Sequence, residues 1–273
     1  MILNTDSYYY IGSTHKHCED YALSGLKSYS THEDSAYCLV SDGCSGSINT
    51  DFGARIISKC AENKLKWDLP PENVFRSRLL DAIDLNCGTL DLNLECLDAT
   101  LLFVQSTKDE YEVRVYGDGS ILKLREDGNI EYTFIEYPSN APLYLNYYIN
   151  NNRMIAYKEH YGLLRKIFKY VITPTDFSIT MDSDTTGEPY IENGYTDYKV
   201  IAVSSDGIAS FAKFIDKNPE PADMVEIVRQ VMGFKSLKGK FIERRLNGFN
   251  NYCEKNNLKH TDDFSIAGIS YEK

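Results

Sequence analysis

Apolar residues recur along this chain in two rhythms. Strand-length apolar or alternating runs stand at 8–11 and 37–40, and again at 100–105, 112–116, 121–125 and 131–136. Turns at Gly117-Asp118-Gly119 and Asp127-Gly128-Asn129 make the middle group read as an antiparallel meander. Further strands are expected at 169–172, 177–181, 198–204 and 264–271. Helical spacing joins Phe52, Ile56, Cys60 and Leu65, with Asn49, Thr50 or Asp51 as the cap. Pro70-Pro71 breaks that helix, and Phe75, Leu79 and Ile83 mark a second one from 72 to about 85. Two more helices follow late in the chain. Met224, Ile227, Val228 and Val231 line one, and Ile242, Leu246, Phe249 and Cys253 line the other. Residues 138–165 are polar, aromatic and Asn-rich without a period, and read as a long loop or flap. Helix pairs near both ends with strands between them predict an α+β class, with helices flanking antiparallel sheets in one domain over 1–273.

Bulk properties narrow the function classes. The composition, 42% hydrophobic and 25% charged, is that of a soluble globular chain. No apolar run approaches the ~20 residues of a membrane helix, and the first residues lack the basic and apolar regions of a signal peptide. The balance of 29 basic and 40 acidic residues leaves a net charge of -11. That argues against a general nucleic-acid binder. Seven cysteines without a CxxC pair read as free thiols in a reducing cytoplasm. The 21 tyrosines are unusual, and the sequence offers no functional account of them.

Candidate chemistry lies where strands end. The tripeptide Ser-Asp-Gly closes two apolar runs, at Ser41-Asp42-Gly43 and at Ser205-Asp206-Gly207. Glu19-Asp20, Asp118 and Asp262-Asp263 occupy similar positions. Taken singly, each reads first as a turn or capping residue. Taken together, they suggest a convergent oxygen-rich site. Unit charges 4 Å apart repel by roughly 1 kcal/mol in water and about 4 kcal/mol at an effective dielectric of 20. Such a cluster calls for cations, and oxygen ligands favour Mn²⁺ or Mg²⁺ over Zn²⁺. Two such ions suit phosphoester hydrolysis. A zinc cluster of His15, His17 and Cys18 lacks a complementary Cys/His pair. Cys18 and Cys44 as cysteine-phosphatase nucleophiles would need Arg at 24 or 50, where Ser24 and Thr50 stand. No Gly-x4-Gly-Lys-Ser/Thr loop occurs.

Cys18-Glu19-Asp20, Ser41-Asp42-Gly43, Gly117-Asp118-Gly119-Ser120, Ser205-Asp206-Gly207 and Asp262-Asp263-Phe264-Ser265 resemble, in order and approximate spacing, the motifs of the protein phosphatase 2C family. These are metal-dependent serine/threonine phosphatases. The resemblance runs from about residue 10 to 271 and implies a four-layer αββα sandwich with a two-metal centre at one end. It implies that Asp42 bridges both ions, that Glu19 and the Gly43 carbonyl bind one, and that Asp206 and Asp262 bind the other. Asp118, with Asp206, matches a weaker third site. Asp20 would orient water, Asp42 and Asp20 forming the catalytic pair. Metal-bound hydroxide would attack phosphorus directly, without a covalent phosphoenzyme. Asp263 reads as a turn or capping residue.

The chain departs from the family at several positions. Many members have a phosphate-gripping Arg where His15 stands here, leaving His15 or Lys16 as the expected phosphate-binding residues. Cys44 stands where some members have a His, and Asp98-Ala99-Thr100 replaces a Gly-Thr-Thr-like segment. Residues 138–197 follow no family pattern. The implied activity is a cytoplasmic Mn²⁺/Mg²⁺-dependent phosphatase whose partner is a phosphorylated protein substrate. The alternatives are a phosphatase-fold binding protein with little or no catalysis and a phosphatase of small phosphorylated metabolites.

Overall fold

The computed structural model describes residues 2–27, 35–67, 69–215 and 218–272. Two antiparallel sheets stack face to face. The first contains β2 (Tyr21–Leu26), β3 (Ala36–Ser41), β4 (Leu101–Ser106), β5 (Glu110–Tyr116) and β10 (Tyr190–Tyr195), in the order β10-β5-β4-β3-β2. The second contains β1 (Ile2–Tyr10), β6 (Gly119–Arg125), β7 (Ile130–Glu136), β8 (Arg165–Ile172), β9 (Phe177–Asp184), β11 (Tyr198–Ser204) and β15 (Phe264–Glu272). Its order is β1-β15-β11-β6-β7-β8-β9. A small third sheet joins β12 (Phe211–Ile215), β13 (Asn218–Pro221) and β14 (Leu258–His260).

Period-two alternation builds the layers. Cys38 and Val40 of β3, Leu102 and Val104 of β4, and Ile201 and Val203 of β11 point into the space between the sheets. Their neighbours Tyr37, Leu39, Leu101 and Phe103 face outward and meet Ile57, Ala61, Leu65, Phe75, Leu79 and Ile83. Those residues belong to α1 (Thr50–Leu65) and α2 (Glu72–Thr89). On the other side, Val200, Ala202, Phe264 and Ile266 meet Val228, Val231, Ile242, Leu246 and Phe249. These come from α4 (Met224–Val231) and α5 (Phe241–Lys255). The result is the expected four-layer αββα sandwich.

Several local expectations are corrected. β1 begins at Ile2, well before residue 8. The meander is two hairpins in different sheets: β4–β5 lies in one and β6–β7 in the other. The chain crosses between them at Gly117-Asp118-Gly119, where both glycines have positive φ, 94° and 125°. In α1 the buried face is Ala54, Ile57, Cys60, Ala61 and Leu65, while Phe52 is 54% exposed. The helix docks on its small residues rather than on its large ones. Asn49 leads into it in a left-handed conformation (φ 59°) and makes no side-chain cap. Residues 138–165 are not a plain loop. A 3₁₀ turn at Leu145–Tyr148 precedes α3 (Asn151–Tyr161), whose cap is the Asn150 side chain accepting from the Asn152 and Arg153 amides. Tyr137, Leu143, Met154 and Tyr157 form its own small core, with Tyr147 and Tyr148 against it. This cap therefore accounts for a share of the tyrosines.

The close docking of α1 yields a stability prediction. Ala is favoured over Gly inside a helix by about 1 kcal/mol. At Gly53, however, an added Cβ would lie 1.6 Å from the Cys96 carbonyl oxygen. Gly53→Ala is expected to destabilise by about 1–3 kcal/mol despite the helix gain. At Gly88 of α2 nothing lies within 4 Å of a Cβ, so Gly88→Ala is expected to be neutral or stabilising by less than about 1 kcal/mol. Urea denaturation of the two variants checks the contrast, and a fully stable Gly53→Ala protein contradicts the packing.

Candidate functional site

Strand register brings the ends of both sheets to one place. Tyr21 pairs with Ser41, so Asp20 and Asp42 lie at the same end of the first sheet. Leu101 pairs with Tyr116, which puts the Gly117-Asp118-Gly119 crossover there too. In the second sheet Ser204 lies between Ser120 and Ile266, so Asp118, Asp206 and the Asp262-Asp263 pair share that end. Backbone lacing fixes the loops. The Thr100 amide donates to the Asp42 carbonyl at 2.8 Å, and the Asp42 amide donates to Thr100 Oγ1 at 3.0 Å. Gly43 forms a bridge with Ala99. No room exists for a side chain at Gly43, because a Cβ would lie 2.8 Å from the Thr50 carbonyl oxygen.

Asp42, Asp118, Asp206 and Asp262 line one cavity of about 80 Å³, with Gly43 and Thr100 beside them. Asp20 is buried next to Asp42, and its Oδ2 accepts from Ser205 Oγ at 2.7 Å. Asp20 also meets the Asp42 carboxyl and the Ser265 hydroxyl, and Asp206 meets the Asp42 carboxyl and its own backbone amide. Burial raises the pKa of Asp20 to about 7. Burial first, then the charges of Asp20, Asp206 and Asp262, push Asp42 well above the carboxylate range. Burial and Asp206 do the same to Asp118, and burial and Asp262 raise Asp206. Without counter-ions, burial and mutual repulsion favour the protonated forms of these groups.

The remaining expected residues lie to one side. Glu19 accepts from Thr50 Oγ1 at 2.9 Å and does not line the cavity. His15 Nδ1 is 3.1 Å from Asp263 Oδ2 and 3.9 Å from Glu19 Oε2, and its Nε2 is 3.3 Å from Asp262 Oδ1. Burial alone would lower its pKa. The hydrogen bond to Asp263 and the surrounding carboxylates outweigh burial and raise it. Neither His15 nor the exposed Lys16 lines the cavity. His15 thus groups with carboxylates, its donor atom and those of Glu19 and Asp263 lying within 4.8 Å of one another. The Cys18 thiol faces the Asp20 carbonyl, and burial pushes its pKa far up.

Two residues carry more than their sequence reading. Asp263 is no surface turn residue. It is 1% exposed and accepts from the Gly12 amide at 2.7 Å and the Glu19 amide at 2.5 Å, tying the β1–β2 connection to β15. The chain bends at Asp262 just before β15, and Asp262 reaches the cavity while Asp263 turns inward. The doublet itself was the available signal. Asp98 joins the cap to the site. Its carboxylate accepts from Arg153 Nη2 at 2.8 and 3.0 Å, from Asn146 Nδ2 at 2.6 Å and from Ser47 Oγ at 2.8 Å. Its carbonyl accepts from the Cys44 amide at 2.8 Å. Asn140, Pro142 and Tyr144 of the cap wall the cavity opposite the carboxylates. No local pattern in the sequence announces this contact.

A family model described as protein phosphatase 2C matches residues 12–249. Solved structures share the fold at low identity. The serine/threonine phosphatase Stp1 of Staphylococcus aureus is 13% identical, with a TM-score of 0.58 over 100% of this chain and 96% of that one. The serine/threonine phosphatase PstP/Ppp of Mycobacterium tuberculosis is 12% identical, with a TM-score of 0.53 over 100% of both chains. The S. agalactiae serine/threonine phosphatase is 13% identical, with a TM-score of 0.55 over 99% of this chain and 100% of that one. No curated protein matches this chain.

The raised carboxylate pKa values set the sign of a pH effect. A carboxyl whose folded pKa exceeds its unfolded value binds more protons when folded. Stability is therefore lost as pH rises from the unfolded pKa near 3.8 through the folded value, about 7 for Asp20. For Asp42 and Asp118 the loss continues to higher pH. Chelator-treated protein should show a falling melting temperature between about pH 5 and about pH 8, and Asp42→Asn should flatten the slope. A melting temperature that rises over this range in metal-free wild type, with the same slope in the variant, contradicts the buried repulsion.

Proposed function

This chain belongs to the protein phosphatase 2C family, and we propose that it hydrolyses phosphoserine and phosphothreonine in proteins, using Mn²⁺ or Mg²⁺. The observation that carries the reading is the convergence of Asp42, Asp118, Asp206 and Asp262 on one cavity, with Asp20 buried beside Asp42. That donor set fits hard divalent cations, because it is all oxygen and repels itself when ionised. Asp42 and the Gly43 carbonyl, which line the cavity together, would be among the groups that hold the ions. Glu19 would complete one of them, and Asp206 with Asp262 the other. Asp118 beside Asp206 would complete a weaker third. Ions bound there would lower the pKa of a water and offset the charge of the phosphoryl oxygens.

The chain's own groups do the rest. Ser205 holds Asp20 by one oxygen, and Asp20 would accept from and orient the attacking water. Thr100 fixes Asp42 through two backbone-directed bonds. Water attacks phosphorus in line, the bond from phosphorus to the serine or threonine oxygen breaks, and that oxygen takes a proton. No cysteine nucleophile is required. Cys44 touches the cavity without the Arg that such chemistry would use. The free thiols of all seven cysteines suit a reducing cytoplasm, and no helix of the described residues is long and apolar enough to cross a membrane. One observation favours the second reading, a phosphate-binding protein with little turnover: His15, expected to grip phosphate, is enclosed by carboxylates instead.

Asp42→Asn and Asp206→Asn are each expected to lower kcat on a phosphothreonine peptide by about 10³-fold or more. Wild type should be active only with Mn²⁺ or Mg²⁺, and Mn²⁺ should raise its melting temperature more than that of Asp42→Asn. Wild-type rates in either variant remove the site assignment. Phosphate binding without turnover in wild type favours the second reading. Faster turnover of small phosphorylated metabolites than of phosphopeptides would reassign the substrate class.

A further inference from the structure

A phosphate dianion in this cavity presents oxygens that need hydrogen-bond donors as well as cations. The carboxylates of Asp42, Asp118, Asp206 and Asp262 offer acceptors only, and Cys44, Ser45 and Thr100 beside them add short hydroxyl and thiol groups. Among the described residues no Lys, Arg or His lines it. His15 is enclosed by Glu19, Asp262 and Asp263. The longer donors come from the 138–161 segment, which brings Asn140 and Tyr144 to the cavity together with Pro142, which has no donor of its own. Tyr144 is 8% exposed. Its phenol lies against the Cys44 thiol, with the carboxylates of Asp42 and Asp118 the nearest other charges. Burial and those charges keep it protonated and therefore a donor.

We propose that the Tyr144 phenol, assisted by the Asn140 amide, is the hydrogen-bond donor that grips a phosphoryl oxygen in this cavity, taking the place of a basic side chain. The proposal rests on the phosphatase reading above and names the substrate-binding group within it. The wall is built before substrate arrives. The Tyr157 hydroxyl donates to the Ala141 carbonyl at 2.7 Å, fixing the chain between Asn140 and Pro142. Tyr144 packs on Tyr147 with ring centroids 5.8 Å apart, and Arg153 lies over the Tyr147 ring at 4.8 Å. Arg153 and Asn146 then bind Asp98, whose carbonyl holds the Cys44 amide beneath the Tyr144 ring. An ordered donor on a rigid wall loses little entropy when phosphate binds.

The test is calorimetric titration of Mn²⁺-loaded protein with inorganic phosphate, paired with KM for a phosphothreonine peptide. Tyr144→Phe keeps the ring and removes the donor. It should weaken phosphate binding and raise KM by about tenfold or more, the worth of one bond to a charged group. Its melting temperature and Mn²⁺ affinity should stay at wild-type values. Asn140→Ala should weaken phosphate binding less, and Tyr161→Phe, at the far end of α3, not at all. Equal phosphate affinity in wild type and Tyr144→Phe overturns the proposal while leaving the phosphatase reading intact. So does a Tyr144→Phe protein that has lost Mn²⁺ binding or stability, since the side chain is then structural. Wild-type protein that binds no phosphate with Mn²⁺ present overturns both.

Discussion

Mutual repulsion among buried carboxylates is the constraint around which this end of the sandwich is arranged. Asp20, Asp42, Asp118 and Asp206 are drawn from both sheets and pressed together, and burial and neighbouring charge raise the pKa of each. At an effective dielectric of 20, each close ionised pair costs about 4 kcal/mol. Among the described residues, no lysine or arginine lines the cavity to offset this. It holds the loops by neutral means: Thr100 lacing Asp42, Ser205 bonded to Asp20, and Gly43 packed against Thr50. The seven- and five-stranded sheets supply the rigidity that keeps repelling groups at fixed separation. A site of this kind is stabilised by what binds it, and the surrounding hydrogen bonds prevent it from relaxing when nothing does.

The Asp262-Asp263 doublet shows how one strand end serves two purposes. The bend at Asp262, just before β15, sends the two side chains different ways. Asp262 stays half-exposed at the cavity, and Asp263 is buried and satisfied by two backbone amides. His15 bridges the pair, with a nitrogen toward each. It therefore stabilises the carboxylate edge of the site from outside the cavity. An imidazole with three carboxylates around it has little left for a substrate anion.

Much of this was legible in the sequence, and what was not has a physical reason. Strands buried on both faces, such as β3, β4 and β11, declare themselves by apolar runs, and the Ser-Asp-Gly that closes both β3 and β11 singles out Asp42 and Asp206. α2 and α5 were legible because Phe75, Leu79 and Ile83, and Ile242, Leu246 and Phe249, keep helical spacing. α1 misled because its docking face is small: Gly53 and Ala54 set the rotation, and Phe52 points to solvent. α3 was illegible because its few apolar contacts are Met154 and tyrosines within a polar segment, so no apolar stripe forms. The crossover at Gly117-Asp118-Gly119 looked like a hairpin turn because the same left-handed glycines serve both. Which residues face the cavity depends on tertiary contacts of high sequence separation, such as Asp98 with Arg153, and local patterns do not encode these.

The absence of a basic side chain among the described cavity-lining residues then becomes intelligible from the same repulsion. An arginine or lysine in reach of Asp42, Asp118 and Asp206 would pair with them whenever cations were missing. It would compete with those cations for the carboxylates and would have to be pulled away before gripping phosphate. His15 illustrates the outcome, engaged by the carboxylates it meets. A phenol gains less from a carboxylate and carries no charge to be displaced, so it can wait beside an acidic floor without capturing it. Its weakness as a donor is offset by immobility, since Tyr144 is held by the packing that runs from Tyr147 through Arg153 to Asp98. The same chain ends at the Cys44 amide, next to Gly43. Phosphate grip and carboxylate loop are thus parts of one hydrogen-bonded unit, and the cap belongs to the chemistry of the site rather than to its shelter.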